Sequence, residues 1–150
     1  MSLSEFIAQL KQRKDILEST FENHVVATGN DILQMVQDRI QSKGINADGV
    51  AFKDYTQEYK KRKAKEGKLK NVVDYTLTSR MWSDVQQRIK SVVSAGRKYT
   101  VIIGPSSNEN VGKFKGLTER DGQKPTTPSN EEIQIAKENL VINIKLELFG

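Results

Sequence analysis

The sequence SEFIAQLKQRKDILESTFENHVVATGNDILQMVQDRIQS, residues 4–42, decides the fold of the N-terminal part of the chain. Its apolar side chains return at steps of three, four or seven residues, which keeps them on one side of a helix. Gly29-Asn30 can interrupt it, because glycine costs about 1 kcal/mol in a helix interior and Asn30 can cap a second helix. The stretch predicts one long helix or two nearly collinear ones, ending at Lys43-Gly44. The stripe consists of Phe6, Leu10, Leu17, Phe21, Val25, Thr28, Ile32, Met35 or Val36, and Ile40.

Shorter elements follow this helix. Asp48-Gly49 marks a turn before a short extended piece, and Thr56 is placed to cap a helix that Gly67 ends. Residues 89–103 are rich in β-branched and aromatic side chains on both sides of a turn, which predicts a β-hairpin.

The C-terminal part carries weaker signals. Residues 108–117 predict a short or irregular helix because two glycines interrupt it, and residues 119–130 predict a polar surface loop. Ser129-Asn130-Glu131-Glu132 is a capping box that starts a final helix. Residues 140–148 fit both a strand of period two and a helix. We therefore expect one α+β domain over residues 1–150, with a long N-terminal helix or two collinear helices, a central β-hairpin in a small antiparallel sheet, a C-terminal helix and long loops.

Composition excludes several kinds of site. The chain has no cysteine and one histidine, His24, so disulfides, thiolate nucleophiles and multi-histidine metal sites are excluded. No apolar run approaches the roughly 20 residues that a membrane span needs. Gly104-Pro105-Ser106-Ser107 follows a predicted strand, but the end of a hairpin explains it better than a phosphate loop does. We expect no enzyme activity, no catalytic residue, no cofactor, no metal and no membrane contact.

Charge is concentrated in one place. The net charge is +5, and residues 60–70 hold seven basic side chains and one acidic one. Two interpretations stay open: the cations bind the DNA backbone while Tyr55 or Tyr59 stacks on a base, or they form a solvated face. The basic side chains are Lys60, Lys61, Arg62, Lys63, Lys65, Lys68 and Lys70.

The central segment resembles the phage virion morphogenesis and tail-completion proteins. The resemblance lies in Arg39-Ile40, the run from Asp48 to Tyr59, the lysine-rich stretch and the run from Leu77 to Trp82, and it spans roughly residues 30–148. Members of that group are similar in the order of a helical stretch, an acidic-glycine turn, an aromatic-hydroxyl segment, a Leu-Thr segment and a hairpin. The motif positions are Asp48, Gly49, Phe52, Tyr55, Thr56, Tyr59, Leu77, Thr78, Met81 and Trp82.

The resemblance implies a structural subunit of the head–tail connector, neck or tail terminator, which forms a ring with copies of itself. Its implied partners are other phage head, portal or tail proteins and non-specific DNA in the channel, and its location is the virion, assembled in the host cytoplasm. It also favours a helix over residues 140–148. Mobile arms at residues 44–54, 67–75 and 106–130 are expected to dock on neighbours.

Overall fold

The computed structural model describes residues 2–75, 80–88, 92–95 and 98–149. Most of this part of the chain is helical. The elements are α1 Leu3–Asp38, continued by a π-helical turn Arg39–Lys43, α2 Gln57–Lys65, α3 Arg80–Arg88, β1 Val92–Ala95, β2 Lys98–Val101, α4 Asn108–Asp121 and α5 Asn130–Phe149.

The N-terminal stripe forms a single helix. Ser2 caps α1 in a reciprocal pair with Glu5, and the 36-residue helix runs through Gly29 without a break. Gly29 is buried, so packing along the helix outweighs the small local cost of a glycine. Of the two alternatives, the structure therefore has one long helix.

The α+β prediction is wrong. Within the described ranges the only strands are β1 and β2, four residues each, which pair antiparallel with each other from Val92–Val101 to Ala95–Lys98. No further strand extends them into the predicted sheet. The extended piece after Asp48-Gly49 contributes only an isolated bridge between Ile45 and Ala51.

The C-terminal third is more helical than expected. The segment predicted as a short or irregular helix forms α4, which Ser107 caps and which extends into the predicted polar loop as far as Asp121, with Gly122 in the left-handed conformation after it. Phe114 of α4 is buried in the core, and this tertiary contact overcomes the two helix glycines. The helical alternative for residues 140–148 is confirmed, since α5 covers them.

The core lies between the C-terminal half of α1 and the shorter elements. Trp82 and Phe114 meet in a T-shaped contact with ring centroids 6.2 Å apart, and Phe52 packs on Tyr75 at 4.4 Å. Residues 44–54, 67–75 and 106–130, expected to be mobile arms, all contribute buried side chains. The core residues are Leu33, Val36, Ile40, Phe52, Tyr55, Val73, Tyr75, Met81, Trp82, Val85 and Phe114.

Helices α1 and α5 pack antiparallel. At one end, Arg39 Nε donates to Glu132 Oε1 at 2.8 Å, and Glu132 also completes the predicted capping box with Ser129. At the other end, the Glu147 carboxylate contacts His24 and accepts from the Thr20 hydroxyl at 2.9 Å. His24 thus serves as a packing contact between two helices.

Gly44 ends α1 in a conformation that only glycine adopts easily. Its φ is +64°, and a Cβ there would lie 2.8 Å from Val72 Cβ and 3.1 Å from Val73 N. We expect Gly44→Ala to lower the free energy of unfolding by about 2 to 4 kcal/mol, combining left-handed strain with overpacking. Gly49→Ala is the matched control, because Gly49 has φ +78° but no atom within 4 Å. Urea unfolding measures the free energy of unfolding of both variants, and equal losses of this free energy would contradict the steric argument.

Candidate functional site

The basic stretch does not form one continuous cationic surface. Thr56 caps α2 as predicted, and this helix carries the first part of the stretch. Lys60 pairs with Asp54, Lys68 lies 3.8 Å from Glu66, and Lys70 lies 3.4 Å from Asp74. In the described part of the chain, the exposed cations of the stretch without an ion pair are Lys61, Arg62 and Lys65.

Lys63 is not a surface group. Its side chain is 0% exposed, and its ammonium pairs with the Asp74 carboxylate, which is 1% exposed. The ammonium also lies 4.8 Å from the centre of the Tyr55 ring. Because a charge buried without a partner is very costly, this pair holds α2 against the chain that leads to α3.

A hydrogen-bond network extends from this ion pair. The Tyr55 hydroxyl donates to Asp74 at 3.0 Å and accepts from the Tyr75 backbone N–H at 2.8 Å. The Tyr75 hydroxyl donates to Asp121, which also accepts from Arg120 Nε at 2.8 Å. Tyr75 has φ +51°, an uncommon conformation for a bulky residue, and these bonds help to hold it there.

The tyrosines of this network stay protonated. Burial, followed by the neighbouring Asp74 carboxylate, raises the pKa of Tyr55 far above its usual value. Burial and the hydrogen bond to Asp121 do the same to the pKa of Tyr75. A phenol with a raised pKa is a poor general acid or base at neutral pH. The cluster is therefore suited to fixing the positions of α2, α4 and the chain between them.

The structure brings most of the motif positions together. Phe52, Tyr55, Met81 and Trp82 are buried in one core, with Tyr59 packed against it. Asp48 and Gly49 instead lie in an exposed turn, where the Asp48 carboxylate accepts from the Gln123 side chain. Leu77 and Thr78 lie outside the described residues.

A surface pocket of about 420 Å³ opens beside this core. Its walls include Arg120 and the rings of Tyr55, Tyr59 and Tyr75. The Arg120 guanidinium lies 5.2 Å from the centre of the Tyr75 ring. Burial raises the pKa of Tyr59, which also lines the pocket. Tyr55, which was considered for stacking on a base, is buried in the core with its hydroxyl occupied.

Asp84 of α3 holds the loop before α4, a role that the sequence analysis did not predict. Its carboxylate accepts five hydrogen bonds: two from Ser106 and two from Ser107, each through its backbone N–H and hydroxyl, and one from the Asn110 side chain. The loop weighed as a phosphate cradle therefore binds an anion of its own chain, placed at the N-terminus of α4. The only sequence signal was the Ser-Ser pair before a helix.

This arrangement predicts a pH dependence. Hydrogen bonds from Ser106 first, and then Asn110 and Ser107, hold the pKa of Asp84 well below its usual range. A carboxyl group whose pKa is lower in the folded protein than in the unfolded chain stabilises the folded state. This stabilisation is complete above the unfolded pKa of about 4, and it decreases as the pH falls below that value. We expect Asp84→Asn to lower the melting temperature at pH 7, because its amide N–H groups would face donors. The difference in melting temperature between Asp84→Asn and the unchanged protein should be smaller at pH 3 than at pH 7.

The control for this prediction is Asp15→Asn, which changes an exposed carboxylate on α1. It should leave the melting temperature unchanged at both pH values. A constant difference between Asp84→Asn and the unchanged protein from pH 7 to pH 3 would contradict the assignment of Asp84 as an ionised anchor.

Two apolar stripes are left exposed at one end of the molecule. Residues 2–12 of the N-terminal helix are exposed on all sides, and Arg13 lies 4.5 Å from the centre of the Phe149 ring near the end of α5. The first ten residues of α1 therefore project past α5. We call Leu3, Phe6, Ile7 and Leu10, which are 44 to 74% exposed, the arm stripe; Ile142, Leu146 and Phe149, which are 52 to 66% exposed, are the α5 stripe.

Two other kinds of site are absent from the described residues. No group of three or more His, Asp or Glu side chains is placed to hold a metal ion. None of the described helices is both long enough and apolar enough to cross a membrane.

Comparison with protein-family models, with curated proteins and with solved structures found no match to this chain.

Proposed function

We propose that this chain is a structural subunit of a phage virion, in the head–tail connector, neck or tail terminator, which assembles into a ring with copies of itself. One observation carries the proposal: two helices leave apolar stripes exposed at the same end of the molecule. Contiguous exposed apolar surface of this kind marks a protein–protein contact. The phage assignment rests on the motif order of the central segment, and the virion is the location that goes with it.

The interior of the protein supports a role as a rigid building block. The Lys63–Asp74 pair, the Arg39–Glu132 pair and the Asp84 cluster tie the shorter elements to one another and to α1. The side chains with the most strongly shifted pKa values thus have structural partners, whereas the apolar groups of the two stripes stay largely exposed.

The test of this function is genetic. Inactivating the gene in the phage that encodes the chain should yield filled heads and separate tails, visible by negative-stain microscopy, and supplying the protein in trans should restore joined particles. Intact particles of normal infectivity without the protein would overturn the proposal. The matched control is the same phage with a stop codon in this gene, grown in a host whose suppressor tRNA reads that codon as an amino acid.

A DNA-backbone-binding accessory protein is the second candidate, favoured by Lys61, Arg62 and Lys65, which are exposed without an ion pair. Counterion release gives a slope of log affinity against log salt of about −0.9 for each phosphate neutralised. Binding through these three cations predicts a slope of about −3, whereas seven cations would give about −6. A titration of duplex DNA at several salt concentrations measures this slope, and no detectable binding at low salt would remove the candidate.

A further inference from the structure

None of the described residues covers the arm stripe. Helix α1 is continuous from Leu3 to Asp38, so its first turns cannot fold back onto the α5 stripe without breaking the helix. The arm also has no described neighbour, since residues 2–12 are exposed throughout. The described chain therefore leaves the arm stripe open to contact with another molecule.

The two stripes match each other in length and spacing. Leu3 to Leu10 and Ile142 to Phe149 each span about 10 Å at a rise of 1.5 Å per residue. Each stripe contains pairs three and four residues apart, such as Phe6–Leu10 and Ile142–Leu146, which is the spacing that lets two helices interlock along a seam. Each copy of the chain carries both stripes, so every arm stripe has an α5 stripe available on another copy.

The apolar area agrees with a weak junction that closes in a ring. Each stripe residue exposes roughly 100 Å², since a fully buried aromatic side chain removes about 150 to 250 Å² from water. One junction of seven side chains then buries about 700 Å², less than half of a standard interface of about 1,600 Å². A subunit in a ring makes two such junctions, one with its arm and one with its α5.

We propose that the arm stripe of one copy packs on the α5 stripe of the next copy. The contact joins two different surfaces, so it is head-to-tail and propagates from subunit to subunit until a ring closes. This inference rests on the proposed function, because it names the partner and the surface by which the subunit self-assembles. Loops 44–54 and 106–130, where we expected this contact, are folded into the body instead.

Cysteine cross-linking tests the junction at chosen positions only, because the natural chain has no cysteine that could react. Ile7→Cys and Leu146→Cys are made as separate full-length variants, mixed at high concentration and treated with a short bismaleimide. We expect the mixture to give several times more covalent dimer than either variant alone. Lys115→Cys mixed with Leu146→Cys is the matched control, since Lys115 is exposed on α4.

Each outcome decides the proposal. Dimer yield in the mixture no greater than in the single variants, or no dimer at all, would overturn the pairing of unlike stripes. A further variant, Phe6→Glu, should abolish the excess cross-linking of the mixture while leaving the monomer's melting temperature unchanged, because Phe6 is exposed. Failed cross-linking together with unjoined phage heads in the gene inactivation would refute this surface and leave the structural function standing.

Discussion

Replacing Asp74 by alanine is expected to lower the free energy of unfolding by about 3 to 5 kcal/mol, because it leaves the Lys63 ammonium buried without a counter-charge. Lys63 has no solvent contact that could compensate. The Tyr55 hydroxyl would lose its acceptor at the same time. Urea unfolding, followed by the fluorescence of the single tryptophan, measures the loss.

The double variant Lys63→Met/Asp74→Leu separates the cost of an unpaired charge from the worth of the pair. Replacing both partners by apolar groups removes the desolvation penalty, so we expect it to recover most of the stability lost in Asp74→Ala. Lys61→Met, on the exposed face of the same helix, should change stability by less than about 0.5 kcal/mol. A loss below about 1 kcal/mol for Asp74→Ala would mean that Lys63 reaches water.

The helices of this protein could largely be predicted because their signals are local. A stripe of apolar residues, a left-handed glycine at Gly44, a threonine cap at Thr56 and the box formed by Ser129 and Glu132 each act within one or two turns. Local rules of this kind are read directly from neighbouring residues.

The sheet was predicted wrongly because strand propensity is a weaker guide than helix propensity. β-Branched residues around a turn indicated a hairpin correctly as a local pairing, but a sheet needs further strands from distant parts of the chain. Residues 108–121 show the opposite error. Their glycines argued against a long helix, whereas burial of Phe114 and capping by Ser107 stabilise it.

The buried ion pair lay beyond sequence reasoning for a physical reason. A run of lysines predicts a solvated face, and nothing in the run distinguishes Lys63 from its neighbours. Its burial depends on Asp74, eleven residues later, and on a tyrosine ring that covers the ammonium. Of the motif tyrosines, Tyr55 lies in the core and Tyr59 packs against it.

Trp82→Ala should lower the free energy of unfolding by about 3 to 5 kcal/mol, because it removes the largest side chain at the centre of the core. Trp82 is 4% exposed and packs edge-on against Phe114 of α4. The cavity would lie between α3 and α4. Far-ultraviolet circular dichroism during a thermal melt measures the lost stability, because the variant lacks the tryptophan signal.

Trp82→Phe provides the matched comparison. The indole Nε1 is buried and makes no hydrogen bond within the structure, so phenylalanine removes an unsatisfied donor while keeping an aromatic ring. We expect Trp82→Phe to cost less than about 1.5 kcal/mol, as a nearly volume-conserving change does. Because the arm and α5 stripes lie away from Trp82, excess cross-linking between Ile7→Cys and Leu146→Cys should persist in the phenylalanine variant. A melting temperature unchanged by Trp82→Ala would reject the core assignment, and equal losses for both substitutions would mean that Nε1 has a partner.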